Sequence, residues 1–343
     1  MVERWKPLPA SAYKEDFRLR KPVLPATYQS TPVVRAAHHL RNPLPPSRAK
    51  FTNVEKVLWP AEGYTKADMI AYYYSIRDVI LPHLRNRPII MERYPNGIAE
   101  PYFLQKDALP QHTPDWMLPY IQDVYAPEVR RNVRYIVAND RDVLLYLVNY
   151  AAITVHPWSS QLDSLDYPDF VLFDLDPVDA PFNVVQNVAL ELKKVLDELG
   201  LRAYPKTSGV SGMHVYLPVA ERTVNYRDGT MFAQAIAKIL TQRIPKEATT
   251  IRSVRQREKG KVYLDALQNG RGKTLAGVYS LRARPHAPVS TPLKWVELEK
   301  AIHPSEFNIE NVPKRIEKAG DLFEPVLSDK QDIRHLVRAL RGE

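Results

Sequence analysis

The chain has 343 residues, 45% of them hydrophobic and 25% charged, so it can bury one large core or two ordinary ones. It has no cysteine, which excludes disulfides and thiolate zinc sites and is typical of a reducing compartment. A net charge of +9 favours an anionic partner such as nucleic acid or an acidic membrane.

The first 50 residues are basic and rich in proline. They contain ten Lys or Arg against three acidic residues, a net +7 of the chain's +9, and eight of its 30 prolines. This composition predicts an extended arm that is ordered only where it lies on the domain or on a ligand. A solvated tail is the alternative.

Targeting and membrane signals are missing from the sequence. The N-terminus has no apolar signal-peptide core, and the longest apolar run, about 13 residues from Val143, is too short to cross a bilayer. We therefore expect a soluble, cytoplasmic protein with no membrane partner.

The stretch "TKADMIAYYYSIRDVILPHL", residues 65–84, carries the first helical periodicity. Thr65 can cap this helix, with Asp68 at the third helical position and apolar residues recurring through Leu84. Residues 85–168 are typical of short strands and loops broken by proline, with a helix predicted near residues 139–150.

From residue 170 the pattern becomes regular. A strand at Phe170–Asp176 precedes a helix at Pro181–Leu199; the next strands, "LRAYPK" and "MHVYLPV", flank the turn "TSGVSG". A helix at about Thr230–Gln242 and a strand "KVYLD" ending at Asp265 complete the order β-α-β-β-α-β. The predicted fold is therefore α+β, with a ferredoxin-like (RRM-like) split βαβ core and an N-terminal α/β subdomain packed against it.

Four segments are predicted along the chain: the arm at 1–50, the N-terminal part of the domain at 51–168, the catalytic core at 169–300 and a tail at 301–343. The tail should wrap the domain and end in a short basic helix.

Two aspartates stand one residue apart where the first core strand ends, in "FVLFDLDP". Side chains at i and i+2 share a strand face, so Asp174 and Asp176 should lie about 7 Å apart along the strand. In the predicted topology the first and last strands are neighbours, which brings Asp265 beside this pair. His214, on the third strand, should lie on the opposite flank.

Three carboxylates this close would repel one another and raise each other's pKa. Two bound Mn²⁺ or Mg²⁺ ions would remove the conflict, because hard cations prefer oxygen ligands. We therefore predict that Asp174, Asp176 and Asp265 are catalytic metal ligands. The alternative is that Asp174 caps the next segment and Asp176 pairs with an arginine.

The turn "KTSGVSGMH" resembles a phosphate-binding loop. Gly209 lets backbone N–H groups turn toward one anion, while the hydroxyl of Ser208 and the imidazole of His214 can donate to phosphate oxygens. Ser211 and Lys206 belong to the same predicted nucleotide-binding set. By itself such a turn is more often a plain hairpin.

The segment after Asp265, "ALQNGRGKTLAGVYSLRARP", is dense in side chains that bind phosphate. Gln268, Lys273 and Arg282 are the candidates here, and an arginine can grip a triphosphate through two hydrogen bonds. Upstream, "ITVHPWSS" presents His156, although a lone histidine is more often structural. A carboxylate trio, a hydroxyl-rich turn and a basic cluster together indicate nucleotidyl transfer by two metals.

Six motifs in order over about residues 50–300 carry a resemblance to a known family. They are "TNVEKVLWP…GYTKADMIAYY", "ERYPNGI…PYFLQKDALPQHTPDW", "HPWSS", "FVLFDLDP", "TSGVSGMHVYLPV" and "LDALQNGRGKT…YSLRARPHAPVSTPLKW". Together they resemble the polymerase domain of bacterial ATP-dependent ligase D, in the archaeo-eukaryotic primase superfamily.

The resemblance implies roles for individual residues. Asp174, Asp176 and Asp265 match metal ligands best served by manganese, and His156 matches an essential histidine. Residues matching the triphosphate site are Ser208, His214 and Arg282. Residues matching the site for a 5′-phosphate on gapped or broken DNA are Lys56 and Lys66, with Asn53 nearby. Tyr102 and Phe103 match an aromatic pair that stacks on the template.

The implied function is a template-dependent primase-polymerase that adds nucleotides, preferably ribonucleotides, to a DNA primer. It would use NTPs or dNTPs to fill short gaps or join ends during end joining or excision repair. Such a protein would act near the nucleoid, as a monomer, alongside Ku.

Three departures from the family pattern matter. Ser211 stands where the family has a lysine, and Lys206 is a candidate substitute. The basic arm has no counterpart in the minimal domain. No Lys-x-Asp-Gly motif is present, so we expect a stand-alone polymerase whose nicks are sealed by a separate ligase.

Other readings remain open. "FDLDP" imitates the Asp-x-Asp opening of haloacid-dehalogenase phosphatases, but Pro177-Val178 follows in place of Gly-Thr. A non-catalytic scaffold for DNA ends or gaps, with the same fold, is the alternative from another class. Lys56 and Lys66 could be solvated, and Tyr102 and Phe103 could be core residues.

Overall fold

The computed structural model describes residues 18–25, 28, 43–108, 113–126 and 129–343. The predicted arm of residues 1–50 lies largely outside these described residues. The chain divides into two compact units, the first formed by Met1–Pro157 with Ser280–Ala287 and the second by Trp158–Tyr279 with Pro288–Glu343.

The first unit combines strands with helices. Its elements, in chain order, are β1 (Val57–Trp59), β2 (Tyr64–Thr65), α1 (Lys66–Ser75), α2 (Arg77–Leu84), β3 (Ile89–Arg93), β4 (Phe103–Gln105), β5 (Ile121–Ala126), β6 (Arg131–Ile136), α3 (Arg141–Asn149) and β7 (Ala152–Pro157). Strands run in the order β4-β3-β6-β5, and β7 also pairs with β3. Strand β3 is therefore enclosed by neighbours.

Helix α1 begins where the sequence predicts. The Thr65 side chain accepts from the Asp68 N–H, and the Asp68 carboxylate accepts from the Thr65 N–H, so the reciprocal capping box is complete. The predicted single helix is interrupted at Ile76, whose backbone (φ −102°, ψ 6°) ends α1 and starts α2.

The second unit contains the predicted split βαβ core. Its elements are β8 (Phe170–Val178), α4 (Phe182–Glu198), β9 (Tyr204–Thr207), β10 (Met213–Pro218), α5 (Tyr226–Arg243), β11 (Ala248–Thr249), β12 (Lys261–Leu264), α6 (Val312–Ala319), α7 (Pro325–Ser328) and α8 (Arg334–Arg341). The sheet order is β11-β12-β8-β10-β9. The α+β class and the neighbouring of first and last core strands are thus confirmed.

Both long helices cover the same face of this sheet. Val171, Phe173 and Leu175 of β8 are buried in one cluster with the apolar stripes of α4 and α5. Because strand side chains alternate, Leu172, Asp174 and Asp176 lie on the opposite face. The aspartates of β8 therefore lie on the face of the sheet that the two long helices do not cover.

Helix α5 begins four residues before the predicted start. Asn225 caps it by accepting from the Asp228 N–H, and the helix continues through Gly229. The predicted basic helix at the end of the tail is α8, where Arg341 forms an ion pair with Asp228 of α5. Among the described residues, no helix combines the length and apolar character needed to span a membrane.

Gly212 is required where the chain enters β10. A Cβ built at this position would lie 2.4 Å from the backbone oxygen of Leu175. We expect Gly212→Ala to lower the free energy of unfolding by about 1–3 kcal/mol through overpacking, as measured by urea denaturation.

Gly229→Ala is the matched control. Its Cβ would make ordinary contacts with Val171 Cγ2 at 3.6 Å and Val224 Cγ1 at 3.9 Å. Alanine is also the better helix former, so we expect a gain of about 0.5–1 kcal/mol. Equal destabilisation by both substitutions would contradict the close approach at Gly212.

Candidate active site and anion cavity

Four polar side chains form a row across the face of the core sheet opposite α4 and α5. In the antiparallel registers His214 is opposite Asp174 on one side and opposite Lys206 on the other. Asp265 follows β12, and its N–H donates to the Asp174 carbonyl over 3.0 Å. The order across adjacent strands is therefore Asp265, Asp174, His214, Lys206; topology alone brings these four residues together.

The three carboxylates differ in exposure. Asp174 is 3% exposed, and its Oδ1 lies 3.5 Å from His214 Nε2. Asp176 is exposed on the same strand face, two residues further along β8. Asp265 is half-buried; its Oδ1 accepts from the Leu267 N–H and caps a short 3₁₀ turn.

These carboxylates suit a hard divalent cation by the chemistry of their oxygens. Asp174 Oδ1 lies within ion-pair distance of His214 Nε2, and no described Lys or Arg forms an ion pair with Asp265. Within the described ranges, however, no three acidic, His or Cys side chains are already arranged around one metal position.

Lys206 is completely buried and holds His214. Its Nζ lies 2.7 Å from His214 Nδ1, 2.6 Å from Ser290 Oγ and 3.0 Å from the Ala276 carbonyl. Ser290 donates its own proton to the Thr207 carbonyl, so its oxygen accepts from the lysine. Because an ammonium group only donates, the contact with Lys206 makes Nδ1 an acceptor and places the ring proton on Nε2.

The glycine–serine turn is closed by its own serine. Ser208 Oγ accepts from the N–H groups of Val210 and Gly212 at 3.2 and 3.1 Å, and Gly209 has a positive φ of 75°. Two backbone N–H groups of the turn that the sequence predicts to bind an anion are therefore already hydrogen-bonded to the Ser208 side chain. Ser211 is exposed at the tip of the turn.

The segment after Asp265 contains polar residues that differ in burial. Asn269 is buried and pairs with the Leu172 backbone through both its oxygen and its nitrogen. Gln268 is half-buried and Lys273 is exposed. Of this group, Lys273 is the cation most accessible to a ligand.

The first unit holds a second polar cluster, around His156. His156 Nε2 lies 3.1 Å from Glu92 Oε2, while the Tyr94 hydroxyl donates to Glu92 Oε1 over 2.7 Å. Burial raises the pKa of Glu92, but the hydrogen bond and charge of His156, with Arg282 and Tyr94, outweigh it and lower that pKa to about 2. Arg282 is half-buried, and its positive charge is one of the causes that lower the pKa of Glu92.

A cavity of about 800 Å³ in the same unit is lined by Asn53, Lys56 and Lys66. Further basic lining residues are Arg48, Lys50 and Arg93, and the described residues around it include no Asp or Glu. Arg48 is neutralised by Asp140 and Asp142, but Lys56, Lys66 and Arg93 form no described ion pair. The cavity therefore has uncompensated positive charge.

Polar contacts hold these cations in place. Lys66 Nζ donates to the Asn149 carbonyl at 2.9 Å, and Lys56 Nζ to Asn96 Oδ1 at 2.8 Å. Burial, with the nearby charges of Lys56 and Arg93, lowers the pKa of Lys66 to about 8. Burial also lowers the pKa of Arg93, to about 10. An anion bound here would relieve both penalties.

The two aromatic residues of the predicted template surface are not equivalent. Phe103 is 9% exposed and lies under the Arg93 guanidinium, 5.0 Å from it. Tyr102 is half-buried, stacks on Tyr94 at 4.7 Å and pairs through its backbone with Arg20 of the arm. Phe103 therefore occupies a core position, and Tyr102 is the more accessible of the two to a ligand.

Glu92, Arg93 and Asn149 were missed by the sequence reasoning. Glu92 and Arg93 stand in "MERYPNGI", where nothing in the local sequence shows that one faces His156 and the other the cavity. Asn149 interrupts an apolar run, which was the available signal for a buried polar role.

The protonation of His214 gives a direct test of this geometry. We expect a two-bond ¹H–¹⁵N correlation spectrum to show the Nε2–H tautomer in the unmodified protein. Lys206→Met removes the donor to Nδ1 and should give a tautomer mixture. An Nδ1–H signal in the unmodified protein would contradict the assignment.

Comparison with known proteins identifies the family. The sequence model described as "LigD, primase-polymerase domain" matches residues 65–323. The chain is 34% identical over 287 residues to the multifunctional non-homologous end joining protein LigD of Mycolicibacterium smegmatis, covering 82% of this chain and 36% of that protein. The bifunctional non-homologous end joining protein LigD of Bacillus subtilis is 34% identical over 286 residues, covering 83% of this chain and 45% of that protein.

A solved structure agrees. The polymerase domain of Mycobacterium tuberculosis ligase D in complex with DNA superposes with a TM-score of 0.75 at 32% identity, covering 83% of this chain and all of that one. The chain spans less than half the length of the two LigD proteins named above. It belongs to the family of LigD primase-polymerase domains, which are DNA-directed nucleotidyltransferases.

Proposed function

We propose that this protein adds nucleotides, preferably ribonucleotides, to a DNA primer in a template-dependent reaction that fills short gaps or extends broken ends. The observation that carries the proposal is the row of Asp265, Asp174 and His214 across three adjacent strands, with Asp176 on the same face. Family membership supplies the reaction class, and the row supplies side chains suited to it.

Asp174, Asp176 and Asp265 would hold the divalent ions, two of them, with Mn²⁺ or Mg²⁺ as candidates. When bound, such ions lower the pKa of an attacking hydroxyl and neutralise the charge of the leaving pyrophosphate. The buried position of Asp174 would keep one oxygen ligand fixed while exposed Asp176 adjusts.

Triphosphate contacts would come from His214, Ser208 and exposed Lys273. His214 Nε2–H points along the row toward Asp174 and can donate to a phosphate oxygen. Ser208, whose Oγ accepts from two backbone N–H groups, is a further proposed phosphate contact. Lys206 is buried, so we propose that it acts by fixing His214, without itself replacing the lysine of the family's turn. Gly209, Ser211 and Gln268 would shape the surrounding surface.

We also propose a catalytic role for His156 and a triphosphate-binding role for Arg282, both of which lie in the first unit. Arg282 can bind a phosphate group through two parallel hydrogen bonds. Their shared neighbour Glu92 balances positive charge in this cluster.

The cavity lined by Asn53, Lys56 and Lys66 would bind a 5′-phosphate at a gap or break. Its positive charge without carboxylate partners favours a terminal phosphate, which carries up to two negative charges. Tyr102 is the more accessible candidate for a template contact, by stacking on a base, and the same role for Phe103 stays a prediction.

The repair process and the protein partners are proposed from the names of the two relatives. Both LigD proteins are named for non-homologous end joining. We propose end joining as the process served, with Ku and a ligase as partners and gapped or broken DNA as substrate. Excision repair is the second process compatible with gap filling.

Replacing the two β8 aspartates tests the catalytic proposal. We expect Asp174→Ala combined with Asp176→Ala to lower primer extension by more than about a thousandfold, because the charge compensation of the reacting phosphates is lost. DNA binding, measured by fluorescence anisotropy, should be retained.

Asp197→Ala, at an exposed carboxylate of α4, is the control and should extend primers normally. Extension by the double variant at the rate of the unmodified protein would remove the metal-ligand assignment. Absence of extension in the unmodified protein, with DNA binding intact, would favour the non-catalytic scaffold.

Replacing the cavity lysines tests the 5′-phosphate proposal. We expect Lys56→Ala with Lys66→Ala to reduce the preference for 5′-phosphorylated over unphosphorylated gaps by about 10-fold or more, since hydrogen bonds to charged groups contribute about 1.5–3 kcal/mol each. Lys193→Ala with Lys194→Ala, on α4, is the matched control.

The same preference should depend on pH. Lys66 is charged below its pKa of about 8, so the preference should weaken as the pH rises through 8, and Lys66→Arg should remove this dependence. Equal binding of phosphorylated and unphosphorylated gaps by the unmodified protein would contradict the role of the cavity.

A further inference from the structure

Glu92 is a buried carboxylate of the first unit that contacts a candidate catalytic histidine. It lies in β3, opposite Leu104 of β4 and Thr154 of β7, and is 9% exposed. A buried carboxylate in an enclosed strand is costly unless its oxygens are satisfied. Both are: Tyr94 donates to Oε1 and His156 contacts Oε2.

The charge of this carboxylate determines which nitrogen of His156 carries a proton. An ionised carboxylate only accepts hydrogen bonds, so a nitrogen 3.1 Å from Oε2 must be an N–H donor. His156 Nε2 is therefore protonated, whether the ring is neutral or charged. Nδ1 has no hydrogen-bond partner among the described residues and is the ring nitrogen left for a ligand.

We propose that Glu92 is the positioning residue for His156: it fixes the ring and its Nε2–H tautomer so that Nδ1 is the atom presented to the nucleotide substrate. This inference rests on the proposed nucleotidyl transfer. It extends that proposal by adding a residue that does not itself touch the substrate and by assigning the reactive nitrogen of His156.

The alternative is that Glu92 only balances charge in the cluster with Arg282. The two roles make different predictions for a neutral isostere. Glutamine at position 92 fills the same volume, but its amide can donate as well as accept, so it no longer dictates the tautomer of His156. Simple charge balance would predict a change in nucleotide affinity without a change in tautomer.

We expect Glu92→Gln to lower kcat for primer extension by about 10–100-fold, the usual effect of removing a partner that orients a functional histidine, with a smaller change in the KM for nucleotide. Glu92→Asp, which keeps the charge, should recover part of the loss. The two-bond ¹H–¹⁵N spectrum should show the Nε2–H form of His156 in the unmodified protein and a mixture in Glu92→Gln, with His156→Asn used to assign the signal.

Glu62→Gln provides the matched control. Glu62 also accepts from a tyrosine hydroxyl, that of Tyr28 at 3.0 Å, and lies 3.5 Å from His286 Nδ1. The Glu62→Gln variant should extend primers with unchanged kcat and leave the His156 signal unchanged.

A kcat for Glu92→Gln within twofold of the unmodified protein, or an Nδ1–H form of His156 in that protein, would overturn the inference. Failure of the proposed function is separate, because it would appear as absent extension by the unmodified protein while the tautomer remains measurable. A Glu92→Gln variant that fails to fold would be recognised by circular dichroism, and Glu92→Asp and the unmodified tautomer would then decide.

Discussion

The antiparallel register of β8 with its two neighbours is the constraint on which the candidate site depends. Because His214 is opposite Asp174, and Asp265 is bonded to the Asp174 backbone, side chains far apart in sequence are forced into one row. Both long helices pack on the other face and bury its apolar residues. Like-charged carboxylates are therefore gathered on a rigid surface, an arrangement that is costly without cations to compensate it.

Each of the two candidate histidines is held by a buried partner of opposite character. Lys206 donates to Nδ1 of His214, which places the ring proton on Nε2, 3.5 Å from Asp174 Oδ1. Glu92 accepts from Nε2 of His156, which leaves Nδ1. A histidine offers two nitrogens of different function, and which one reacts is decided by the partner of the other. Lys206 and Glu92 thus determine which ring nitrogen of each histidine carries the proton.

The sequence predicted the fold of the core, but it did not predict the residues that contact the site's side chains. Strand alternation and the β-α-β-β-α-β order predicted the row of Asp174, Asp265 and His214, because local periodicity and topology determine it. Glu92 was not predictable, since its relation to His156 arises from pairing between β3 and β7, 64 residues apart. The burial of Phe103 under Arg93 was also not predictable, because the motif alone gives no burial; its role as a template contact stays a prediction.

Anomalous X-ray scattering from crystals soaked in Mn²⁺ would show whether the three aspartates bind metal, because it locates the ions without depending on turnover. We expect manganese peaks bound by carboxylate oxygens of Asp174, Asp176 and Asp265, with the His214 ring kept in place by Lys206. Peaks elsewhere, or none while these carboxylates pair with lysine or arginine side chains, would contradict this expectation.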